Sequence, residues 1–215
     1  MNFLLLQLAD SAFPAGGFAH SAGLEASAQL GHVRHGQDLQ RFCHEAVWSA
    51  ATGTLPFMAQ AHAAPAQLSL WDRALDAFLL NPVQNRASRT QGRAFAATAQ
   101  AIFPELSSVL SAAADTCSHH APLFGLATRT LGVGLADARG TLLLGQLRSV
   151  LSAAVRLGLV GPHEAGRMQA AFAPLLQRAL DDTSHLTIAT ASQASPLLEL
   201  YAGKHDELYS RLFLS

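Results

Sequence analysis

The chain has 215 residues and a net charge of −1, and only 13% of its residues are charged, about half the ~25% usual for soluble domains. A near-neutral balance makes nucleic acid an unexpected target, since binding it usually needs a basic face. Sparse charge over a 50% hydrophobic composition instead points to a surface covered by a second copy or a permanent partner. The two cysteines, Cys43 and Cys117, are too few for a disulfide framework and fit a reduced, cytosolic setting.

The apolar run Phe3–Leu8 has no basic residues before it and meets Asp10, so it does not read as a signal peptide. The longest stretch free of Asp, Glu, Lys and Arg, Ala46–Trp71, carries Pro56, Gln60, His62, Pro65 and Gln67 and is no membrane span. Helical periodicity dominates, and Pro and Gly breakers mark out roughly eight to ten helices with short connections. The expected fold is all-α, a single globular domain over 1–215. Leu135–Gly158 is apolar around most of its circumference and is expected as a central helix. Gly161-Pro162 opens a second helix that should run through Met168, Phe172, Leu175, Leu176 and Leu180.

Familiar catalytic patterns are missing. There is no G-x-x-x-x-G-K-[ST] loop, and Lys204 is the one lysine, so nucleotide hydrolysis by this chain alone is not expected. Ala19-His20-Ser21-Ala22-Gly23 is one residue from G-x-S-x-G, but a nucleophile elbow needs a strand entering and a sheet beneath, and Ala19 replaces the first glycine. Ser21 is therefore not read as a nucleophile. From Phe18 the chain reads as helix, with His20, Leu24 and Ala28 along one side and Ser21 and Glu25 spaced i, i+4.

Ten histidines raise the question of metal. Cys43-His44 and Cys117-x-His119-His120 are the densest donor groups, and their spacing matches no closed zinc site. Imidazole and thiolate would suit Ni²⁺; a helix cap or a core hydrogen-bonder accounts for the same residues. Arg86, Arg89 and Arg93 stand at i, i+3 and i+7 with no acid between Asp76 and Glu105. Such a stripe meets either a carboxylate-rich partner or internal acids. At the end of the sequence, His205, Leu208, Tyr209, Leu212 and Phe213 follow helical spacing. That apolar stripe docks into the chain's own core or a partner's groove.

Taken together, LQLADSAFPAGGFAHSAGLE (6–25), RASRTQG (86–92), HHAPLFG (119–125), SAAVRLG (152–158) and HDELYSRLF (205–213) resemble, in order, the motifs of the urease accessory protein UreF family. Ala15 and Ala22 stand where Thr and Gly are common in that family, and Leu214 where Arg is common. The resemblance implies an all-helical, homodimeric, cytoplasmic protein that is not an enzyme and has no cofactor of its own. It implies action with UreD (also called UreH) and the GTPase UreG in delivering nickel to apo-urease, with GTP hydrolysis modulated. Partner surfaces are then expected at Asp10, Ser11, Phe13, Pro14, Gly16, Gly17, His20 and Glu25, and in a docking tail, 205–215, at His205, Tyr209, Arg211, Leu212 and Phe213. Arg86, Arg89 and Arg156 are candidates for the GTPase-facing side. His20, Cys117, His119 and His120 are the candidate metal donors.

Overall fold

In a computed structural model, the structure describes residues 3–10, 13–111, 113 and 116–215. Its described residues form helices and loops with no strand. The α-helices are α1 (Phe3–Leu8), α2 (Leu24–Gln29), α3 (Gly36–Ser49), α4 (Leu55–Ala63), α5 (Leu68–Phe78) and α6 (Pro82–Ile102), followed by α7 (Ser107–Ser111), α8 (His120–Thr130), α9 (Leu135–Arg156), α10 (Pro162–Ala171), α11 (Ala173–Asp182) and α12 (Pro196–Lys204). The count exceeds the expected one because α1, α2 and α7 are six, six and five residues long, too short to show a periodicity in sequence. The helix expected from Gly161-Pro162 onward divides at Phe172 into α10 and α11. Pro174 lacks an amide hydrogen and its ring clashes with the preceding turn, so a helix restarts there instead of continuing.

Local chemistry sets the boundaries. Asn81 caps α6 by accepting from the backbone N–H of Val83 (3.0 Å) and Gln84 (3.3 Å), and Pro82 fills the first helical position. Between α3 and α4 the chain passes through a π-helical turn, Ala50–Thr54. Thr52 ties this turn to the loop before α12: its Oγ1 donates to Ser192 O (3.0 Å), and Ser192 N–H donates to Thr52 O (3.1 Å).

Two apolar cores form. The first gathers Phe57 and Met58 of α4, Leu75 of α5, Phe95 of α6 and Leu123 and Phe124 of α8. The second gathers Leu39, Phe42 and Val47 of α3 with Leu143, Leu147 and Val150 of α9. Helix α9 joins them, giving Ala138 and Leu142 to the first core and the rest of its stripe to the second. The central position is shared, since Ala121–Thr128 of α8 are buried without interruption. Gly125 allows this enclosure: a Cβ there would overlap the Met58 carbonyl of α4.

Candidate functional site: a clasp between the N-terminal turn and the C-terminal tail

The segment that opens the family-like motif is fixed at both cores. Phe13 packs in the first core against Phe95 (ring centroids 6.0 Å) and Phe103 (6.4 Å). Ser11 lies outside the described residues. Gly16 (φ 75°) turns the chain into a single 3-10 turn, Gly17–Ala19, and Leu24 then enters the second core as the start of α2. The continuous helix expected from Phe18 to Ala28 is interrupted. Ala22 (φ 54°) and Gly23 (φ 86°) are left-handed, a conformation that ends a helix and that only Gly adopts without strain. Gly23 is also crowded, since a Cβ would lie 3.0 Å from Ala202 N of α12. Ser21 is therefore a buried turn residue, not a helical one at the surface.

The tail closes over this turn. It is not the amphipathic helix expected from its spacing. His205–Glu207 make one 3-10 turn, and from Leu208 no helix continues. His205, Phe213 and Ser215 are buried, whereas Tyr209 is fully exposed and Leu212 and Leu214 are 52% and 64% exposed. Burial in the tail thus follows the path of an irregular chain over a turn and not a helical face. Leu214 N–H donates to Ala19 O (2.8 Å), and Ser215 O accepts from Ser21 N–H (2.6 Å) and Ser21 Oγ (3.1 Å). His20 Nδ1 shares a 2.6 Å hydrogen bond with Ser215 Oγ. At the centre, the buried carboxylate of Glu25 accepts from the backbone N–H of Leu212 (Oε1, 2.6 Å) and Phe213 (Oε2, 3.3 Å). Charge-assisted bonds of this kind are about twice as strong as neutral ones.

Arginines brace the clasp from outside. The Arg156 guanidinium lies between the Phe18 ring (3.9 Å) and the Phe213 ring (4.2 Å), and donates to Phe18 O (2.5 Å). Arg86 makes a two-pronged contact with Asp206 (2.7 and 3.0 Å) and holds that carboxyl below its usual range, helped by His205 and Arg211. Two of the three arginines of the expected cationic stripe on α6, Arg86 and Arg89, thus meet acids within the chain. Arg89 donates to Cys117 O (3.1 Å) and lies 4.0 Å from Asp76, and Arg93 donates to Thr90 Oγ1 (3.3 Å). The acids absent locally arrive from elsewhere, Asp206 from 120 residues away.

His205 is enclosed completely, and neither ring nitrogen has a hydrogen-bond partner. Its Nε2 stands 3.3 Å from Glu25 Oε2 without a hydrogen bond, and its Nδ1 stands 3.8 Å from Asp206 Oδ1, too far for one. His20 Nε2 is likewise buried and unpartnered. Burial, followed by the nearby His205 and Arg86, pushes His20 below the ordinary imidazole range. His20 and Ser215 also line a cavity of about 360 Å³ between the two cores, whose wall includes Phe18, Gln146, Ser149 and His120.

Of the candidate metal donors, His119 lies in a second polar cluster, apart from the clasp. His119 precedes α8 and is wholly buried; its Nδ1 bonds Ser88 Oγ (3.0 Å) and its Nε2 bonds Asp76 Oδ1 (3.1 Å). Burial lowers its pKa, and the bond to Asp76 works the other way. The buried carboxylate of Asp72 accepts from the backbone N–H of Ser118 (2.9 Å) and His119 (2.8 Å). Ser88, His119 and Asp76 stand in a row, but Ser88 sits within α6, where backbone N–H groups are committed to the helix. His120 packs against Phe95 and Phe124 in the cavity wall, and burial takes its pKa to about 4. Among the described residues no three His, Cys, Asp or Glu side chains are grouped to hold a metal ion. Cys43, pushed up to about 12 by burial, stays a thiol.

A turn and a tail are thus held together around one glutamate, and the comparisons with known proteins show the family. The UreF family model matches residues 33–173. The urease accessory protein F of Arabidopsis thaliana is 38% identical over the whole chain and 93% of its own length. That of Oryza sativa subsp. indica is 34% identical over 96% of the chain and 82% of its own length. The UreF of Granulibacter bethesdensis is 30% identical over 99% of the chain and 93% of its own length. The chain belongs to the UreF family.

As a UreF protein it is a member of an accessory family of urease. The family model stops short of both halves of the clasp, at 13–25 and 205–215, whereas the whole-length relatives extend across them. The expected partner residues Phe13, Pro14, Gly16, Gly17, His20, Glu25, His205, Tyr209, Arg211, Leu212 and Phe213 converge at or beside this one feature, together with Arg86 and Arg156. Asp10 precedes it at the end of α1. Arg89, Cys117, His119 and His120 do not join it. What the sequence missed is Ser215: an unremarkable serine that closes the turn through three hydrogen bonds.

Proposed function

We propose that this protein is a non-enzymatic scaffold of urease maturation that bridges UreD/UreH and the GTPase UreG. In this reading it modulates GTP-dependent nickel delivery to apo-urease in the cytoplasm and works as a homodimer. It carries no cofactor of its own, and nickel is cargo that the assembled complex handles transiently. One observation carries this reading. Motifs about 190 residues apart fold into a single clasp that leaves Phe18 (67% exposed), Tyr209, Leu212 and Leu214 uncovered while Phe213 is buried. Exposed apolar groups gathered on a charge-poor surface mark a protein-binding face. No helix among the described residues is long and apolar enough to cross a membrane.

The test is co-purification from cells expressing this chain with UreD/UreH and UreG. Tyr209→Asp with Leu212→Asp puts two charges on the exposed ridge without touching the core. The expected result is at least a tenfold loss of recovered UreD/UreH, as roughly 1.4 kcal/mol of lost affinity would give, with helical circular dichroism unchanged. Undiminished recovery would remove the tail from the partner surface.

A further inference from the structure

Positive charge on the clasp exceeds what the chain supplies to neutralise it. Three guanidiniums gather there, from Arg86 of α6, Arg156 of α9 and Arg211 of the tail. Arg86 and Arg211 turn to the same carboxylate oxygen, Asp206 Oδ1, at 2.7 and 3.5 Å, and all three side chains are nearly half exposed. Arg156 pairs with no carboxylate among the described residues; its contacts are the Phe18 carbonyl and the faces of Phe18 and Phe213. Glu25 is buried and spends both oxygens on tail N–H groups, and Lys204 and Glu207 pair with each other. The chain as a whole carries −1, so this excess belongs to the face and not to the composition.

The form of the Arg156 site matters as much as its sign. A guanidinium carries its N–H donors in one plane and none on its faces. Stacking against Phe18 and Phe213 covers those faces and fixes the plane. One donor goes to Phe18 O, and the rest of the edge is left for an acceptor that the described residues do not provide. An arginine already held in place loses less side-chain freedom on pairing, and its fork matches a carboxylate. Phe18 beside it is exposed, as are Leu212 and Leu214 on either side of Phe213 in the sequence. A phosphate would use the arginines and leave these apolar groups wet; a peptide bearing carboxylates and apolar side chains uses both. We propose that the clasp receives an acidic, apolar segment of a partner protein, its carboxylates pairing with Arg156 and Arg211 and its apolar side chains covering Phe18, Leu212 and Leu214. This rests on the clasp being the partner-facing element, and it names the chemistry that the partner brings.

Fluorescence anisotropy tests this on the full-length chain alone, with a short labelled peptide of leucine and glutamate and its counterpart carrying glutamine for glutamate. The glutamate peptide should bind at least tenfold tighter, and its affinity should fall about tenfold between about 50 and about 500 mM sodium chloride as salt screens the pairs. Arg156→Gln should abolish the preference for glutamate. Because that substitution also removes a brace of the tail, Arg211→Gln serves as a second variant; its side chain is exposed and bonded to Asp206. It should weaken the glutamate peptide about threefold, the size of an exposed ion pair, and leave the glutamine peptide unchanged. Equal affinity for the two peptides, indifference to salt, or undiminished binding in both variants would overturn the proposal. So would capture of inorganic phosphate or of anionic lipid vesicles in place of the peptide. No UreD/UreH is present, so failure here removes the acidic chemistry alone, whereas failed co-purification with the peptide still bound removes that partner and keeps the surface.

Discussion

Two wholly buried histidines, His119 and His205, each lie beside carboxylates, yet one is fully bonded and the other is not. His119 satisfies both nitrogens, on Ser88 and Asp76, while Asp72 holds its backbone from below. Its partners lie within 31 to 47 residues, on α5 and α6. His205 satisfies neither nitrogen, and the glutamate beside it spends its oxygens on backbone 187 and 188 residues away. A buried polar group left unpaired costs about 1–3 kcal/mol, so a satisfied cluster fixes a fold and an unsatisfied one marks a junction that can be remade. The His119 cluster behaves as scaffold. The clasp is where the molecule has stability to exchange with a partner.

That contrast breaks most easily at Gly92. A Cβ there would overlap the Ser118 carbonyl and crowd the backbone of His119 and His120, with no flexible side chain to yield. Gly92→Ala should lower unfolding stability by more than about 3 kcal/mol, as overpacking against backbone does at its worst. Urea denaturation showing a change under about 1 kcal/mol would mean that α6 and α8 are not locked through this cluster. The same substitution at both histidines sharpens the comparison. His119→Leu strands Ser88 and one bond of Asp76 and should cost about 2–4 kcal/mol, whereas His205→Leu removes a ring with no hydrogen bonds, only its 3.3 Å approach to Glu25, and should cost less, about 1 kcal/mol. Equal losses in denaturant midpoint, at unchanged slope, would erase the distinction. The smallest effect lies in the turn itself. Ala22 holds a left-handed conformation at φ 54°, so Ala22→Gly should raise stability by about 1 kcal/mol. A lower melting temperature would show that the strain is relieved elsewhere.

How much of this was legible beforehand differs along the chain. The α6 helix announces itself through Asn81-Pro82 and its long run of helix formers, and α9 through its apolar spacing. In each, the signal lies within a few turns of sequence. The 205–213 stretch has the spacing of a helix and is a 3-10 turn followed by irregular chain, because Glu25 offers its backbone amides better acceptors than a helical turn would. The arginines of α6 look unopposed in sequence because Asp206 comes from the far end of the chain. His119 and His120, adjacent in sequence, go to unlike places, one into a hydrogen-bonded cluster and one onto a cavity wall.

The sequence by itself determined an all-α chain, the positions of its principal helix starts, the absence of a phosphate loop and the family to which its motifs belong. All of these are set by residue type and spacing over short range. Only the tertiary structure decided that the first motif and the last one form a single object, that Ser21 is buried beneath the tail, and that Glu25 holds the backbone of the tail. Those outcomes depend on contacts between residues nearly 200 positions apart, and no local pattern encodes which distant donor will reach a buried carboxylate first.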